Sequence, residues 1–242
     1  MATFIAIHGA FHGGWCFEPL RPHLAACGHE LVAPTLPGMG GVGAAPAEVT
    51  LEGWADFVLD LARRARPPVW LCGHSRGGVV ISAAAERDPA ALAGLIYIAA
   101  LLLPDGHSVR AHQAANPVPP AFVAAVHADG EQRTLAFDPG AAVGLFYHRS
   151  PADAGRAAAA RLAAEPMNPL NTPVALSDAR FGRVPRHYVE CSDDRALPLA
   201  EQRAMQAVLP CATVTTLDSD HSPFLYCPAE LAGALARIAY PA

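Results

Sequence analysis

The chain alternates between short apolar runs and segments whose apolar residues recur about every 3.6 positions. The apolar runs predict β-strands at residues 3–11, 29–36, 67–73, 92–102, 186–191 and 212–218. These strands are apolar along most of their length, which is typical of parallel strands covered by helices on both faces. The pattern therefore predicts an α/β fold in which a mainly parallel six-stranded sheet is flanked by helices.

Helices are predicted between these strands and after the last of them. An apolar stripe at helical spacing begins at Leu51, and Thr50 precedes it as a candidate N-cap. Further helical stretches are predicted at residues 17–27, 75–87, 198–209 and 228–239.

Residues 104–185 interrupt the alternation of strands and helices. This segment is rich in proline and in alanine-containing helical stretches, and it shows no pattern typical of a strand. Because it follows the fourth predicted strand, we expect a helical cap inserted into an α/β core formed by residues 1–103 and 186–242.

Composition and charge exclude several classes of protein. Hydrophobic residues make up 52% of the 242 residues and charged residues 16%, as expected for a compact globular chain. The net charge of −5 offers no basic surface for nucleic acid, and no apolar run reaches the ~20 residues that span a bilayer. We therefore expect neither nucleic acid nor a membrane as a partner.

Two features bear on the compartment. The opening MATFIAIHGAF has no basic region before its apolar stretch, so it is interpreted as a first strand and not as a signal peptide. Six cysteines are scattered without a C-x-x-C pair, which favours reduced side chains. We expect a cytoplasmic protein.

Lysine is absent from the chain, and all 17 basic residues are arginine. This excludes a Walker A lysine, a pyridoxal Schiff base and a Ser-Lys dyad. His8 and His12 have the spacing of a metal-binding pair, but Gly9 and the predicted strand argue against the helix that such a pair needs. We expect neither a cofactor nor a metal ion.

A serine stands among glycines in LCGHSRGG, residues 71–78. Ser75 follows a predicted strand and precedes a predicted helix, which is the setting of a G-x-S-x-G nucleophile elbow. Such a turn forces the serine into an unfavourable backbone conformation, and only small residues at positions 73 and 77 leave room for it. The pattern indicates a nucleophile, and a plain glycine-rich turn is the alternative.

A serine nucleophile needs a general base and an acid that orients the base. The stretch YVECSDDRALP places Asp193 and Asp194 after one predicted strand, and TLDSDHSPF places His221 after the last one. Both loops lie at carboxyl ends of parallel strands, where sites on such sheets form. The order serine, acid, histidine is the one that accompanies this elbow.

Acyl transfer also needs two backbone N–H groups that stabilise the developing oxyanion. One is the N–H of Arg76, directly after the serine. The other is expected in the loop after the first strand, IHGAFHGGW, with Ala10 as the donor.

Together these stretches resemble the α/β-hydrolases, and among them the branch of plant methylesterases, plant hydroxynitrile lyases and bacterial esterases. The resemblance spans nearly the whole chain and rests on IHGAFHGGWCFEPLRPHLAACGHELVAPTLPG, CGHSRGG, YVECSDDRALP and DSDHSPFLYCPAELAGAL. It implies that Ser75 is the nucleophile, His221 the base and Asp194 the orienting acid. Asp193 is the second candidate for the acid.

The chain also departs from that branch. The hydroxynitrile lyases carry a threonine and a lysine where this chain has Gly9 and Ser222, which argues against lyase chemistry. Relatives commonly have an apolar residue or cysteine at the position of Arg76. The Arg76 side chain is expected either to form a structural ion pair or to contact an anionic substrate.

The residues and the resemblance predict a serine carboxylic-ester hydrolase that acts through an acyl-enzyme, as a monomer or homodimer. Medium-sized hydrophobic, aryl or methyl esters or lactones are the expected substrates. A receptor-like homologue that binds a ligand, and a lyase that uses the same triad, are the alternatives. The expected apolar pocket residues are Phe11, Trp15, Phe122, Phe146, Tyr147 and Met167.

Overall fold

The computed structural model describes residues 1–240 of the chain. In chain order the strands are β1 (Thr3–Ile7), β2 (Glu30–Val32), β3 (Val69–His74), β4 (Gly94–Ile98), β5 (Val126–Asp129), β6 (Thr134–Phe137), β7 (Glu165–Pro166), β8 (Arg186–Cys191) and β9 (Thr213–Leu217). The α-helices are α1 (Arg21–Ala26), α2 (Leu51–Arg64), α3 (Gly77–Arg87), α4 (Val109–Ala115), α5 (Pro120–Ala125), α6 (Pro139–Phe146), α7 (Ala152–Ala159), α8 (Met167–Asn171), α9 (Leu199–Val208), α10 (Pro223–Tyr226) and α11 (Pro228–Ala239). Short 3₁₀ helices occupy Gly14–Leu20, Pro46–Glu48, Pro89–Ala91 and Phe181–Arg183.

The main sheet has six strands in the order β2-β1-β3-β4-β8-β9, and every neighbouring pair is parallel. After β2 the chain crosses to the other side of β1. The carboxyl ends of β1 and β3 therefore flank a switch point, where sites on such sheets form. The predicted fold, a parallel six-stranded sheet flanked by helices, is confirmed.

Both faces of the main sheet are buried, because successive residues of its central strands pack into different apolar clusters. Ile5 and Ile7 of β1 pack on the side of α2 and α3. Phe4 and Ala6 pack on the side of α1 and α11. This two-sided burial explains why the central strands β1, β3 and β4 are apolar along most of their length and do not alternate with polar residues.

The predicted helices are present, with small differences at their starts. The stretch predicted as one helix at residues 17–27 is a 3₁₀ helix, Gly14–Leu20, followed by α1. The helix predicted from residue 75 begins as α3 at Gly77. Within residues 1–240, no helix combines the length and the hydrophobicity needed to cross a membrane.

Residues 104–185, between β4 and β8, contain α4 to α8 and also a three-stranded antiparallel sheet, β5-β6-β7. The expectation that this segment holds helices and no strand is therefore corrected. Strands β5 and β6 have four residues each, and β7 has two, the second of which is Pro166. Such short strands have too few alternating positions to be recognised from the sequence, and proline is depleted in strand interiors.

Helix α2 begins with Thr50 as its N-cap, and the Thr50 hydroxyl accepts a hydrogen bond from the Gly53 N–H at 2.9 Å. We expect Thr50→Ala to lower the free energy of unfolding by about 1 kcal/mol, because that N–H loses its side-chain partner. Urea unfolding followed by circular dichroism measures the change. Thr50→Ser keeps the hydroxyl and serves as the control, so equal stability of the two variants would contradict the capping role.

Candidate active site

Ser75 lies in a strained turn between β3 and α3. Its φ of 52° falls in the left-handed region, which costs a non-glycine residue about 1–2 kcal/mol. A Cβ at Gly73 would stand 2.7 Å from the Gly77 backbone, and a Cβ at Gly77 would stand 2.4 Å from the carbonyl oxygen of Ile7. Only glycine fits at these two positions. The turn therefore has the geometry of a nucleophile elbow.

Neighbouring backbone holds Ser75 in this conformation. Its N–H donates to the carbonyl oxygen of Ile98, at the end of β4, at 3.3 Å. Its own carbonyl oxygen accepts from the N–H groups of Gly78 and Leu101 at 3.1 and 3.0 Å. Three hydrogen bonds thus support the strained residue, and Ser75 lines a cavity of about 450 Å³.

Asp194 and His221 form a short, buried hydrogen bond. The Asp194 Oδ2 and His221 Nδ1 atoms are 2.6 Å apart, and both side chains are at most 3% exposed. The loops that carry them follow β8 and β9, which are parallel neighbours, so the two loops leave the sheet at the same edge. Because Nδ1 donates to the carboxylate, Nε2 of the neutral ring is left as a proton acceptor.

The structure distinguishes the two candidate acids. The other carboxylate oxygen of Asp194, Oδ1, accepts two backbone N–H groups of the following turn, both at 2.8 Å. The side chain of Asp193 is 48% exposed and lies 3.1 Å from His148 Nε2. Asp194, and not Asp193, is the carboxylate that contacts His221.

Two residues that the sequence analysis did not single out hold the His221 loop. His74 donates from Nε2 to the carbonyl oxygen of His221 at 2.8 Å, and burial lowers the pKa of His74 well below its usual value. The buried Asp220 carboxylate accepts from the N–H groups of Arg149 and Ser150 at 3.0 and 3.1 Å. The only sequence signals for these roles are their positions, directly before Ser75 and directly before His221.

Ser75 and His221 do not form a hydrogen bond with each other in the structure. Within residues 1–240, the hydrogen bonds of His221 with other side chains are those to Asp194 and His74. The His74 and His221 rings lie 4.6 Å apart between centroids, which places His221 next to the residue that precedes Ser75. Catalytic hydrogen bonds are often long in free enzymes and tighten when substrate binds. The serine–histidine contact stays a prediction.

Ala10 and Arg76, the predicted oxyanion-hole donors, line the same cavity as Ser75. They are brought together because β1 and β3 are parallel neighbours, with Ile7 opposite Gly73. Among the hydrogen bonds of residues 1–240, none is donated by the backbone N–H of Ala10 or of Arg76. Two N–H groups without a protein acceptor beside the nucleophile are what an oxyanion hole requires.

The side chain of Arg76 forms a buried ion pair with Glu165 of β7. Arg76 Nε lies 2.8 Å from Glu165 Oε1, both side chains are at most 3% exposed, and the guanidinium lies 4.3 Å above the Trp54 ring. Burial lowers the pKa of Arg76 and raises the pKa of Glu165, while the attraction between the two charges opposes both shifts. Of the two roles expected for this side chain, the structure shows the ion pair.

The two histidines of the loop after β1 support its backbone. His8 donates from Nδ1 to the carbonyl oxygen of Gly9 at 2.9 Å, and His12 donates from Nδ1 to that of Ala10 at 2.7 Å. The Tyr147 hydroxyl donates to His12 Nε2 at 2.6 Å. Burial lowers the pKa of both histidines, so both rings are neutral near pH 7. In the described part of the chain, no group of three or more His, Cys, Asp or Glu residues is placed to hold a metal ion.

The cavity at Ser75 has a volume within the usual range for small-molecule sites, roughly 300–1,000 Å³. Polar side chains at its wall include Arg110 and Gln113. Phe11 and Phe122, two of the expected pocket residues, line this cavity. Its other apolar lining residues include Leu101, Val109, Val118, Leu135 and Leu170.

The other four expected pocket residues do not line the cavity at Ser75. Trp15 and Tyr147 line a separate cavity of about 200 Å³. Met167 lines a smaller cavity of about 130 Å³. Phe146 is 2% exposed and packs in the core, with its ring centroid 5.6 Å from that of His221. The sequence could show that these residues are apolar, but not which surface each of them faces.

Comparison with known proteins agrees with this geometry. A family model described as "Alpha/beta hydrolase family" matches residues 4–234. The chain belongs to the α/β-hydrolase family. The strand–elbow–helix arrangement around Ser75 is one of the features of that family on which the sequence resemblance rested.

Relatives within the α/β-hydrolase family are named hydrolases and esterases. The chain is 32% identical to the pyrethroid hydrolase of Sphingobium wenxiniae, over 99% of this chain and 88% of that protein. It is 28% identical to Methylesterase 7 of Arabidopsis thaliana, over 98% of this chain and 95% of that protein. The crystal structure of a pyrethroid hydrolase from Sphingobium faniae matches with a TM-score of 0.87 and 30% identity, over 99% of this chain and 98% of that one. The chain is a carboxylesterase-type hydrolase, and the resemblance to methylesterases and bacterial esterases is confirmed.

The buried His12 predicts a specific dependence of stability on pH. Burial lowers its pKa from 6.5 to about 4, so as the pH falls the unfolded chain binds this proton before the folded protein does. Its contribution to stability is therefore complete above about pH 6.5 and is lost as the pH falls toward 4. We expect the loss of unfolding free energy between pH 7 and pH 5 to be about 1–2 kcal/mol smaller in His12→Gln than in wild type.

Urea unfolding of both proteins at pH 7 and pH 5 measures this difference. Each protein is compared with itself at the two pH values, so the contacts that His12→Gln removes at every pH cancel. An equal loss in the two proteins would contradict a neutral, buried His12.

Proposed function

We propose that this chain is a serine carboxylic-ester hydrolase in which Ser75 is the nucleophile, His221 the general base and Asp194 the acid that orients the base. The observation that carries the proposal is the buried 2.6 Å hydrogen bond between Asp194 and His221, next to a serine held in a strained elbow. The names of the curated relatives, hydrolases and esterases, support the same reaction class.

In the acylation step, His221 Nε2 takes the proton of the Ser75 hydroxyl while the serine oxygen attacks the ester carbonyl carbon. The tetrahedral intermediate then collapses. The bond to the alcohol oxygen breaks, and the protonated His221 gives its proton to that leaving oxygen. Asp194 holds the imidazole orientation and stabilises the positive ring during this step.

In the deacylation step, water replaces the alcohol. His221 takes a proton from the water, the hydroxide attacks the acyl-enzyme carbonyl, and the acid leaves as the Ser75 oxygen regains its proton from His221. No cofactor is needed in either step.

The N–H groups of Ala10 and Arg76 are the proposed donors to the oxyanion of both tetrahedral intermediates. Their lack of an acceptor within the described chain supports this role, because a donor already bonded to protein would have to break that bond first. Removing one such donor from an oxyanion hole typically costs about 3–4 kcal/mol of transition-state stabilisation.

The proposed substrates are medium-sized hydrophobic, aryl or methyl esters or lactones. The cavity at Ser75 supports this class, since Phe11, Phe122 and several aliphatic side chains line it. The relatives' names, pyrethroid hydrolase and methylesterase, fit hydrophobic and methyl esters respectively.

We further propose that the protein acts in the cytoplasm on a small-molecule ester, as a monomer or homodimer. All six cysteines are free, and Cys16, Cys72 and Cys191 are buried, which supports a reducing compartment.

The nucleophile is tested by replacing Ser75 with alanine and comparing the hydrolysis of p-nitrophenyl, methyl, aryl and lactone esters with wild type. We expect kcat/KM to fall by at least about 10⁴-fold for every ester that the wild type accepts, because no other group replaces the hydroxyl. Hydrophobic and aryl esters should rank above charged, polyhydroxylated ones.

Ser82→Ala is the matched control, since the Ser82 hydroxyl bonds Gly78 and Tyr97 away from the cavity. It should retain wild-type turnover. Normal ester hydrolysis by Ser75→Ala would contradict the proposed mechanism. Absence of ester hydrolysis by the wild type would favour a receptor or a lyase.

The orienting acid is tested by comparing Asp194→Asn with Asp193→Asn. Asparagine at position 194 stops stabilising the protonated ring and favours the wrong tautomer of His221, so kcat should fall roughly 10³–10⁴-fold. Asp193 does not contact His221, so Asp193→Asn should stay near the wild-type rate. Steady-state kinetics on one good ester measures both, and the reverse result would identify Asp193 as the acid.

A further inference from the structure

Arg76 connects the elbow to the loop after β1. Its backbone carries one of the two proposed oxyanion N–H groups, and its side chain reaches the loop that carries the other. The Arg76 Nη2 atom donates to the carbonyl oxygen of Gly9 at 3.2 Å and to Glu165 Oε2 at 3.4 Å. The Nε atom lies 2.8 Å from Glu165 Oε1.

The contact to Gly9 acts on Ala10, because the Gly9 carbonyl and the Ala10 N–H belong to one peptide group. In a planar trans peptide these two bonds point in opposite directions. A donor that holds the Gly9 carbonyl therefore also fixes the direction of the Ala10 N–H. His8 Nδ1 donates to the same oxygen at 2.9 Å, so the carbonyl has two donors. Hydrogen bonds linked in this way polarise one another, which makes the Ala10 N–H a stronger donor.

Glu165 holds the next peptide of the same loop. Its Oε2 atom accepts the N–H of Phe11 at 3.1 Å, and the N–H of Ala163 donates to the Phe11 carbonyl oxygen at 2.8 Å. Phe11 has a φ of 65°, in the left-handed region that residues other than glycine rarely adopt. The carboxylate thus keeps Phe11 in a strained conformation while it holds the Arg76 side chain.

Stability alone is a weak explanation for this pair. Burying two charges costs about as much free energy as their attraction returns, and apolar residues of similar size often do as well. The Arg76 Nη1 atom is also buried without a hydrogen-bond partner in the described chain. An apolar side chain at position 76 could pack against Trp54 without this cost. The presence of the ion pair is better explained by the backbone groups of Gly9 and Phe11 that it holds in place.

We propose that Arg76 and Glu165 are positioning residues of the oxyanion hole, whose ion pair locks the Gly9–Ala10 peptide and the Phe11 N–H and so sets the Ala10 N–H relative to that of Arg76. This inference rests on the proposed ester hydrolysis. The side chains act on loop backbone, so their loss should weaken binding of the transition state much more than binding of the substrate.

Arg76→Met and Glu165→Gln test the proposal. With one good ester, we expect kcat to fall about 10–100-fold while KM changes by less than about threefold. A trifluoromethyl ketone analogue of the ester, which adds to Ser75 and forms a tetrahedral oxyanion, should lose affinity by the same factor as kcat. The corresponding alcohol, which forms no oxyanion, should bind as it does to wild type.

Two further variants separate positioning from general loss of structure. Arg76→Lys keeps a positive charge for Glu165 but lacks the planar guanidinium group, whose nitrogens reach both Glu165 and Gly9. Its kcat should therefore lie between those of Arg76→Met and wild type. Arg203→Met is the matched control, because it also removes the arginine partner of a buried glutamate, Glu190. Arg203→Met should keep wild-type kcat. Unchanged kcat in Arg76→Met and Glu165→Gln, or equal losses of ketone and alcohol affinity, would overturn the proposal.

A measurement without substrate separates this proposal from the proposed function. We expect the Phe11 amide to exchange its hydrogen at least about tenfold faster in Arg76→Met and Glu165→Gln than in wild type or Arg203→Met, as read by NMR. Unchanged exchange would overturn the positioning role even if ester hydrolysis were established. If the wild type hydrolysed no ester, the proposed function would fail, and exchange would still decide whether the pair holds the loop. Glu165→Gln is isosteric, so it carries the test if Arg76→Met does not fold.

Discussion

The site depends on one close approach, in which the first turn of α3 packs directly against the backbone at the end of β1. A Cβ at Gly77 would stand 2.4 Å from the Ile7 carbonyl oxygen. Because Ile7 lies opposite Gly73 in the parallel pair β1–β3, the turn with Ser75 and the loop with Ala10 leave the sheet side by side. A methyl group at either glycine would push the helix outward and separate Ser75 from the loop.

The segment between β4 and β8 covers the site and also forms hydrogen bonds with the loops of the site. Glu165 of β7 reaches the loop after β1, and Arg149 and Ser150 donate backbone N–H groups to Asp220, next to His221. The same segment supplies much of the apolar wall of the cavity at Ser75. Hydrogen bonds from this segment therefore help to hold the loops that carry Phe11 and His221.

Much of the fold and part of the candidate site could be predicted from local sequence. The central strands β1, β3 and β4 are apolar along most of their length because both faces of the sheet are covered there, and this leaves a clear signal. The elbow also leaves a signal, because Gly73 and Gly77 are required by direct steric contact. Strands β5 to β7 left none, since they have two to four residues each, which is too short for an alternating pattern to stand out.

The sequence by itself determined the parallel sheet and the position of Ser75 in a tight turn. It also limited the candidates for the acid to Asp193 and Asp194, and it placed His221 after the last strand. Only the tertiary structure decided that Asp194 and not Asp193 contacts His221, and that Arg76 pairs with Glu165, which is 89 positions away along the chain. The reason is physical. Apolar periodicity and the tight turn from Gly73 to Gly77 involve residues that are close together along the chain, whereas the direction of a side chain depends on what the rest of the chain packs against it.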